Sequence, residues 1–268
     1  MASYRLRVAI PAFEIKKHGY RSFINEGDAD IVVFSKPHAD DVEIIKKVRD
    51  SGAKSVVDLC DDHFDKPVWG EIYTKCAQLA DRVTCTTEEM ARRIYKHTKI
   101  DAQVIPDTWE HEAPAHANGD NFLWFGHESN IKEIYKYLPM LKGVKLRLCT
   151  GNNSVLPTYV PWSEDALKTE FARSNVVILP VSDPNTYKSA NRLISAVMAG
   201  CFVVAENSLN HRDFRDYVYL GSIKGGVQYT QAFSHELNEL TIRAQDYIAS
   251  KYSPERIGAA WASVFDSI

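Results

Sequence analysis

Basic and hydroxyl side chains gather at one predicted helix start in the second half of this 268-residue chain. Lys188, Ser189, Asn191 and Arg192 follow a polar loop and open an apolar helical pattern that runs to Gly200. The free N–H groups and the positive dipole end of a helix start favour an anion, and the two basic side chains add charge. The pattern predicts a phosphate-binding site. The alternative is a solvated helix start whose helix ends at a C-capping glycine.

Acidic side chains leave a predicted buried strand in the first half of the chain. Asp61, Asp62 and His63 come directly after the run SVVDLC at 55–60. Ligands of open parallel sheets bind beyond the carboxyl ends of the strands. A carboxylate or imidazole at this position could accept a hydrogen bond or a proton from a substrate hydroxyl. These three residues are therefore candidate catalytic residues, and a polar loop whose aspartates cap the next segment is the alternative.

The elements that must position these residues alternate along the whole chain. Short, apolar, β-branched runs predict strands, and the amphipathic runs between them predict helices. The predicted strands are 6–10, 31–34, 55–59, 82–85, 103–105, 121–125, 145–149, 175–180, 201–206 and 216–220. The predicted helices are 15–25, 40–51, 69–80, 87–96, 131–141, 163–172, 189–199, 231–250 and a last one that Ser253 caps, with Pro254 at its first position. Apolar strands joined by helices predict α/β architecture with parallel sheets covered by helices.

A polar stretch at 106–121 interrupts this alternation and predicts a junction between two domains. The expected organisation is an N-terminal Rossmann-like domain at 1–108, a linker at 109–120, a C-terminal Rossmann-like domain at 121–252 and a terminal helix at 253–268. Apolar residues recur at helical spacing in the terminal helix, Trp261 and Phe265 among them, so one of its faces must be buried. We expect that face to pack back on the N-terminal domain.

Composition and missing motifs argue against several classes of protein. The chain has a formal net charge of −3, so it lacks the excess of basic residues that is typical of a dedicated nucleic-acid binder. No apolar run approaches the roughly 20 residues of a membrane span, and the five cysteines show neither a CxxC pair nor metal-ligand spacing. The sequence contains no P-loop, GxSxG, HExxH or complete GxGxxG motif. We therefore expect a soluble, cytoplasmic protein without a structural metal.

The segment 175–206 resembles the donor-binding segment of the retaining GT-B glycosyltransferases, the group that includes sucrose and glycogen synthases. The matching residues are Pro180, Lys188, Ser189, Asn191, Arg192, Leu193, Ala199, Gly200, Val203, Val204 and Ala205. Tyr187 and Ser195 stand where the group carries two acidic residues, the second of which usually contacts the donor ribose. The segments at 80–96 and 104–108 resemble the same group in the same order.

The resemblance also assigns residues to the nucleotide-sugar donor. These are Gly126, Ser129, Asn130, Thr150, Gly151, Asn152, Trp162, Ser189, Asn191 and Ser195. Gly126 would let the backbone approach a phosphate or sugar, and Ser129–Asn130 would cap the next helix. Trp162 would stack on the nucleotide base. The alternatives are an ordinary capped turn for the former and core filling for the tryptophan.

The resemblance implies the GT-B fold, in which two Rossmann-like domains face each other across a cleft. It implies a hexosyl- or pentosyltransferase that takes a sugar from a nucleoside-diphosphate sugar with retention, with Asp61, Asp62, His63, Lys188 and Arg192 as catalytic residues. No cofactor or essential divalent metal is implied. The acceptor stays open among a glycan, a lipid-linked sugar, a protein, a small molecule and a modified nucleic acid. A sugar-nucleotide epimerase and a non-catalytic nucleotide-binding module are the alternative functions.

Overall fold

The computed structural model describes residues 4–24, 28–151, 158–182 and 187–268. Contacts divide the chain into two units. Unit 1 comprises Met1–Thr108, Tyr187–Ser189 and Tyr252–Ile268, and unit 2 comprises Trp109–Thr186 and Ala190–Lys251. Each unit has its own parallel sheet and its own core. The predicted α/β class with two parallel, helix-covered sheets is thereby confirmed.

The first segment of unit 1 is helical, so the strand predicted at 6–10 is wrong. A wide helical turn at Arg5–Ala9 leads into helix α1 (Ile10–Glu14), and a tight turn follows at Ile15–His18. Gly19 ends this turn with a φ of 88°. The helix predicted at 15–25 is therefore limited to its first four residues.

The spacing of the buried residues explains why this segment is helical. The buried side chains are Leu6, Arg7, Pro11, Glu14 and Ile15. They recur every three to four residues, as on one face of a helix, rather than at every second position. Among them is Arg7, whose guanidinium donates to both carboxylate oxygens of Asp58 and to the carbonyl of Ile105. The short apolar run alone could not distinguish the two periods.

Four parallel strands form the sheet of unit 1 in the order β1-β2-β3-β4. They are β1 (Ile31–Ser35), β2 (Lys54–Leu59), β3 (Arg82–Cys85) and β4 (Gln103–Val104). The helices between them are α2 (Asp41–Asp50), α3 (Pro67–Leu79) and α4 (Glu88–Thr98). The Thr87 hydroxyl caps α4 by accepting from the backbone N–H of Met90. All four strands therefore point their carboxyl ends to the same edge of the sheet.

Six parallel strands form the sheet of unit 2 over the part of the chain that the structure describes. They are β5 (Asn121–Phe125), β6 (Lys145–Thr150), β7 (Tyr159–Pro161), β8 (Val176–Leu179), β9 (Phe202–Ala205) and β10 (Tyr219–Leu220). Their order is β10-β9-β8-β5-β6-β7. β6 and β7 thus extend the sheet on one side of β5, and β8, β9 and β10 extend it on the other side.

The helices of unit 2 differ from the prediction in their bounds. They are α5 (Ile131–Tyr135), α6 (Glu164–Arg173), α7 (Asn191–Met198), α8 (Ile223–Ala232) and α9 (Leu237–Tyr252). The helix predicted at 131–141 ends at Tyr135 and continues as turns. The helix predicted at 231–250 is divided between α8 and α9, and β7 was not predicted because its three residues carry no periodic signal.

The segment expected as a linker, 109–120, has no regular structure but packs on unit 2. Backbone hydrogen bonds of 2.9 Å join Ala113 to Met198 and His116 to Gly200. Gly200 has a φ of 89°, and a Cβ at this position would collide with the His116 ring. The glycine that ends α7 is therefore required both by its backbone conformation and by this close approach.

The last helix, α10 (Pro254–Asp266), belongs to unit 1 although it lies at the other end of the chain. The Ser253 hydroxyl caps it, and Pro254 occupies its first turn. Its buried residues Ile257, Trp261, Val264 and Phe265 form one cluster with Ile15, Val56 and Ile105. The burial of this apolar face accounts for the helical spacing seen in the sequence.

Candidate functional site

The strand order of unit 2 reverses at β5 and β8, and doubly wound sheets bind ligands at such a point. Arg192, in the first turn of α7, lies here. Its Nη1 is 3.4 Å from the carbonyl oxygen of Phe125 at the end of β5. Its Nη2 is 3.1 Å from Oε2 of the buried Glu133, which also accepts from the Ser182 hydroxyl at 3.1 Å. A side chain that is 27% exposed thus places a positive charge at the switch point.

Gly126 leaves space for this arginine. A Cβ at Gly126 would lie 3.2 Å from Nη1 of Arg192 and 3.2 Å from the Trp124 ring. The absence of a side chain therefore lets the guanidinium sit against the end of β5. The approach of a phosphate or sugar to Gly126 stays a prediction, and the group next to the glycine in this structure is the guanidinium of Arg192.

The predicted cap by Ser129–Asn130 is wrong. Both residues lie in a tight turn at Glu128–Asn130, and Asn130 makes no side-chain cap to α5. The backbone of Asn130 is already helical, whereas a capping residue needs an extended conformation. His127 has that conformation, and its Nδ1 accepts from the backbone N–H of Ser129.

The residues predicted beyond β6 have different surroundings. Thr150 is fully buried, so its side chain does not reach solvent in this structure. Gly151 makes room for Glu128, whose Oε2 would be 2.5 Å from an added Cβ. Trp162 is 40% exposed and is therefore not a core residue. Asn152 lies outside the described residues.

Helix α7 begins at Asn191, two residues later than predicted, and Ala190 precedes it without a side-chain cap. Asn191 and Ser195 are both half-buried on this helix. Ser189 is not part of the helix; it belongs to unit 1, where it hydrogen-bonds Asp107. The cluster that looked continuous in sequence is thus divided between the two units, with Lys188 and Ser189 in one and Asn191 and Arg192 in the other.

In unit 1, Asp61 lies beyond the end of β2 between two lysines. Nζ of Lys36 is 2.5 Å from its Oδ2, and Nζ of Lys188 is 3.0 Å from its Oδ1. Burial opposes ionisation of Asp61, but Lys188 and Lys36 outweigh it and lower the pKa of Asp61 to about 2. A carboxylate with so low a pKa is a weak proton acceptor, so the expected role of Asp61 as a base is not favoured.

The next residue, Asp62, has a structural environment. Its Oδ1 accepts from the backbone N–H of Phe64 at 3.1 Å, and its Oδ2 accepts from Nε of Arg93 at 2.9 Å. Arg93 also pairs with Asp65 and lies 5.6 Å from the centre of the Tyr187 ring. Asp62 therefore stabilises its own loop and fixes Arg93.

His63 has a defined hydrogen-bonding state. Its Nδ1 is 3.0 Å from the carbonyl oxygen of Asp62, which can only accept, so Nδ1 carries the proton. Burial, with the charge of Lys66, lowers the pKa of His63 below its usual value. The neutral ring therefore presents Nε2 as a hydrogen-bond acceptor near pH 7. Trp69 and Tyr73 flank the ring at centroid distances of 5.7 and 5.5 Å.

Two acidic residues of unit 2 were missed in the sequence. Glu133 lies on α5 and faces Arg192. In the sequence, only its position on a predicted helix distinguishes it from other acidic residues. Glu206 follows β9 directly, where it accepts from the backbone N–H of Val181 at 2.8 Å and from the Tyr137 hydroxyl. The rule that singled out Asp61, a polar residue directly after a buried strand, would also have found Glu206.

Comparisons with solved structures give the class of fold. HepE from Anabaena, solved with UDP-glucose, matches with a TM-score of 0.69 and 10% identity over 89% of this chain and 79% of that chain. An alpha-glucosyltransferase, solved with UDP-glucose and DNA containing an abasic site, matches with a TM-score of 0.60 and 8% identity over 89% and 80%. Trehalose 6-phosphate synthase from Burkholderia multivorans matches with a TM-score of 0.52 and 12% identity over 88% and 72%.

The chain thus has the same α/β fold, with two parallel, helix-covered sheets, as these solved structures, in agreement with the sequence resemblance to GT-B enzymes. No protein-family model matches the sequence, and no curated protein is similar to it at a significant level. Within the described ranges, no helix is long and apolar enough to cross a membrane. The same residues contain no group of three or more His, Cys, Asp or Glu side chains arranged to hold a metal ion.

Proposed function

We propose that this chain is a glycosyltransferase that moves a sugar from a nucleoside-diphosphate sugar to a hydroxyl acceptor, with retention at the anomeric carbon. The observation that carries the proposal is the position of Arg192. This cation stands at the switch point of a GT-B fold, and HepE and the alpha-glucosyltransferase of the same fold were solved with UDP-glucose. Retention is supported by the sequence resemblance of segment 175–206 to retaining enzymes.

Unit 2 supplies the donor-binding residues in this proposal. Arg192 and the backbone N–H groups at the start of α7 face the diphosphate, whose negative charge grows as the sugar–phosphate bond breaks. Glu133 fixes the guanidinium and leaves part of it exposed. Trp162, which is 40% exposed, stacks on the nucleotide base. Asn191 and Ser195 lie on the same helix and contact the donor.

Unit 1 supplies His63 for the acceptor. The neutral imidazole presents Nε2 as an acceptor, which suits a hydrogen bond from the hydroxyl that attacks the sugar. Its aromatic neighbours and the bond to Asp62 hold the ring in one orientation. Asp61 and Asp62 are positioning residues in this proposal, because their oxygens already face cations or a backbone N–H.

The test is release of nucleoside diphosphate from a panel of nucleotide sugars, together with calorimetry of UDP binding. Arg192→Ala should weaken UDP binding by about 1.5–3 kcal/mol, the range for hydrogen bonds to a charged group. Arg173→Ala is the matched control, because this arginine of unit 2 is 68% exposed on α6 and should leave UDP binding unchanged. Equal UDP affinity in both variants and the wild type would remove the donor assignment.

A non-catalytic nucleotide-binding module is the second candidate, and Tyr187 favours it. Tyr187 stands where the resembling enzymes carry an acidic residue, and here its carbonyl accepts from the Thr87 hydroxyl while its ring lies beneath Arg93. Such a module would bind UDP with the same dependence on Arg192 but release no diphosphate from any nucleotide sugar. A sugar-nucleotide epimerase would instead interconvert the sugar without transferring it.

A further inference from the structure

Two ammonium groups of unit 1 share a single carboxylate at the end of β2. Lys36 and Lys188 approach opposite oxygens of Asp61, at 2.5 and 3.0 Å. The carboxylate is largely covered, with 14% of its side chain exposed, whereas Lys36 and Lys188 are 34% and 62% exposed. The two cations therefore reach solvent around a carboxylate that does not.

The formal charges of this trio do not cancel. Asp61 stays ionised at neutral pH, since its pKa is lowered to about 2. Burial opposes the charge of Lys36, yet its hydrogen bond to Asp61 raises the pKa of the lysine. Two cations and one anion leave one net positive charge on the trio itself. Two neighbouring carboxyl groups lie close to it: Asp62, which Arg93 already pairs with, and the buried Asp107, which faces Arg7 and also acts on Lys36.

The backbone holds Lys36 in an uncommon conformation. Among the non-glycine residues that the structure describes, positive φ occurs at Lys36 (55°) and Lys99 (62°). Lys99 ends helix α4, where a left-handed residue is common. Lys36 ends no helix; it follows β1 and donates its N–H to the carbonyl of Asp58 at 3.1 Å. A residue other than glycine usually adopts such a strained backbone conformation where a functional site requires its side chain in that position.

We propose that Lys36 and Lys188 form a phosphate-binding pair on unit 1, and that Asp61 is the counter-anion which occupies the pair until a phosphate group replaces it. A phosphate group can accept hydrogen bonds from both ammonium groups. The negative charge of a phosphate group also exceeds that of a carboxylate. The identity of the phosphate rests on the proposed function. It belongs either to the diphosphate of the donor or to a phosphorylated acceptor, since both carry the same chemistry.

The first experiment measures inorganic pyrophosphate binding by calorimetry at low salt. Lys36→Met and Lys188→Met keep the aliphatic stem and should each weaken binding about tenfold or more. Asp61→Asn keeps the shape but removes the competing charge, so it should tighten binding about fivefold, an effect that shrinks with added salt. Lys75→Met is the control, because this lysine makes an exposed pair with Glu71 on α3 and should not change binding.

The opposite signs separate a binding site from a structural ion pair. If the trio only stabilises the fold, all three variants lose stability and none changes pyrophosphate binding, which would overturn the proposal. No binding by the folded wild-type chain would also overturn it. Should Lys36→Met fail to fold, Lys188→Met and Asp61→Asn still carry the test, because one must weaken and the other must tighten the complex.

The source of the phosphate is identified with two further probes, UDP and glucose 6-phosphate. Dependence of UDP binding on Lys36 assigns the pair to the donor diphosphate. Dependence of glucose 6-phosphate binding on Lys36, with UDP binding unchanged, assigns it to the acceptor. If neither affinity depends on Lys36, the pair binds no substrate phosphate and the proposal falls. Continued diphosphate release from a nucleotide sugar in Lys36→Met would then leave the proposed function standing.

Discussion

Asp58 lies in β2 and Asp61 lies two residues beyond its end, and the surroundings of the two carboxylates differ. Asp58 is fully buried and accepts from Arg7, from the Thr84 hydroxyl at 2.8 Å and from the Ser35 hydroxyl at 3.2 Å. Asp61 pairs with lysines that reach solvent. The buried carboxylate has its hydrogen bonds met inside the protein. The outer one is held by cations that could exchange it for another anion.

This difference teaches that depth, rather than residue type, separates a structural ion pair from a candidate binding group. Burial opposes the charge of Arg7, but Asp58 outweighs it, and the pKa of Arg7 is raised. Only 1% of the Arg7 side chain is exposed, whereas both lysines of Asp61 are at least 34% exposed. The pair instead ties the N-terminal helical segment to β2, and Trp261 of α10 lies 5.6 Å from the guanidinium carbon.

The largest effect is expected from breaking the buried pair. Arg7→Met leaves Asp58 buried without a counter-charge, which should reduce the free energy of unfolding of unit 1 by about 3–5 kcal/mol. Denaturant unfolding measures the change. The double variant with Asp58→Asn should recover part of the loss, because no buried charge remains. A loss below about 1 kcal/mol in the single variant would show that burial does not separate the role of the Arg7–Asp58 pair from that of the lysine pairs of Asp61.

A smaller effect is expected from Asp61→Asn. Because the folded-state pKa of Asp61 is about 2 and its usual value is 3.8, its ionisation contributes about 2 kcal/mol to stability at pH 7. The contribution is complete above about pH 4 and is lost as the pH falls toward 2. Unfolding curves of the variant and the wild type should therefore differ at pH 7 and converge near pH 2. A constant difference over that interval would contradict the assigned pKa.

The smallest stability effect is expected at His63, although its effect on turnover is large. His63→Gln should change the free energy of unfolding by less than about 1 kcal/mol, because the ring is only half-buried. Turnover should fall, and the acid limb of the pH–rate profile should disappear. In the wild type that limb lies below the usual histidine pKa of about 6.5, since protonation removes the Nε2 lone pair. An unchanged profile would exclude His63 from the reaction.

Local signals determined most of the elements in advance. The apolar runs at 31–34 and 55–59 were both found as strands, and the second is buried on both faces, where a strand needs continuous apolar sequence. Thr87 and Ser253 marked helix starts correctly, since a capping hydroxyl acts on a backbone N–H only three residues away. The strand predicted at 6–10 failed because its few apolar residues fit either period.

The sequence by itself determined the α/β class, the parallel strands and the acidic and basic residues that follow them, because each depends on neighbours within a few positions. Only the tertiary structure decided which charges meet. Lys188 and Arg192 lie within one helical turn of each other in sequence, yet one pairs with Asp61 in unit 1 and the other with Glu133 in unit 2. Charge pairing depends on distance in space, and the fold brings together residues that local sequence patterns cannot connect.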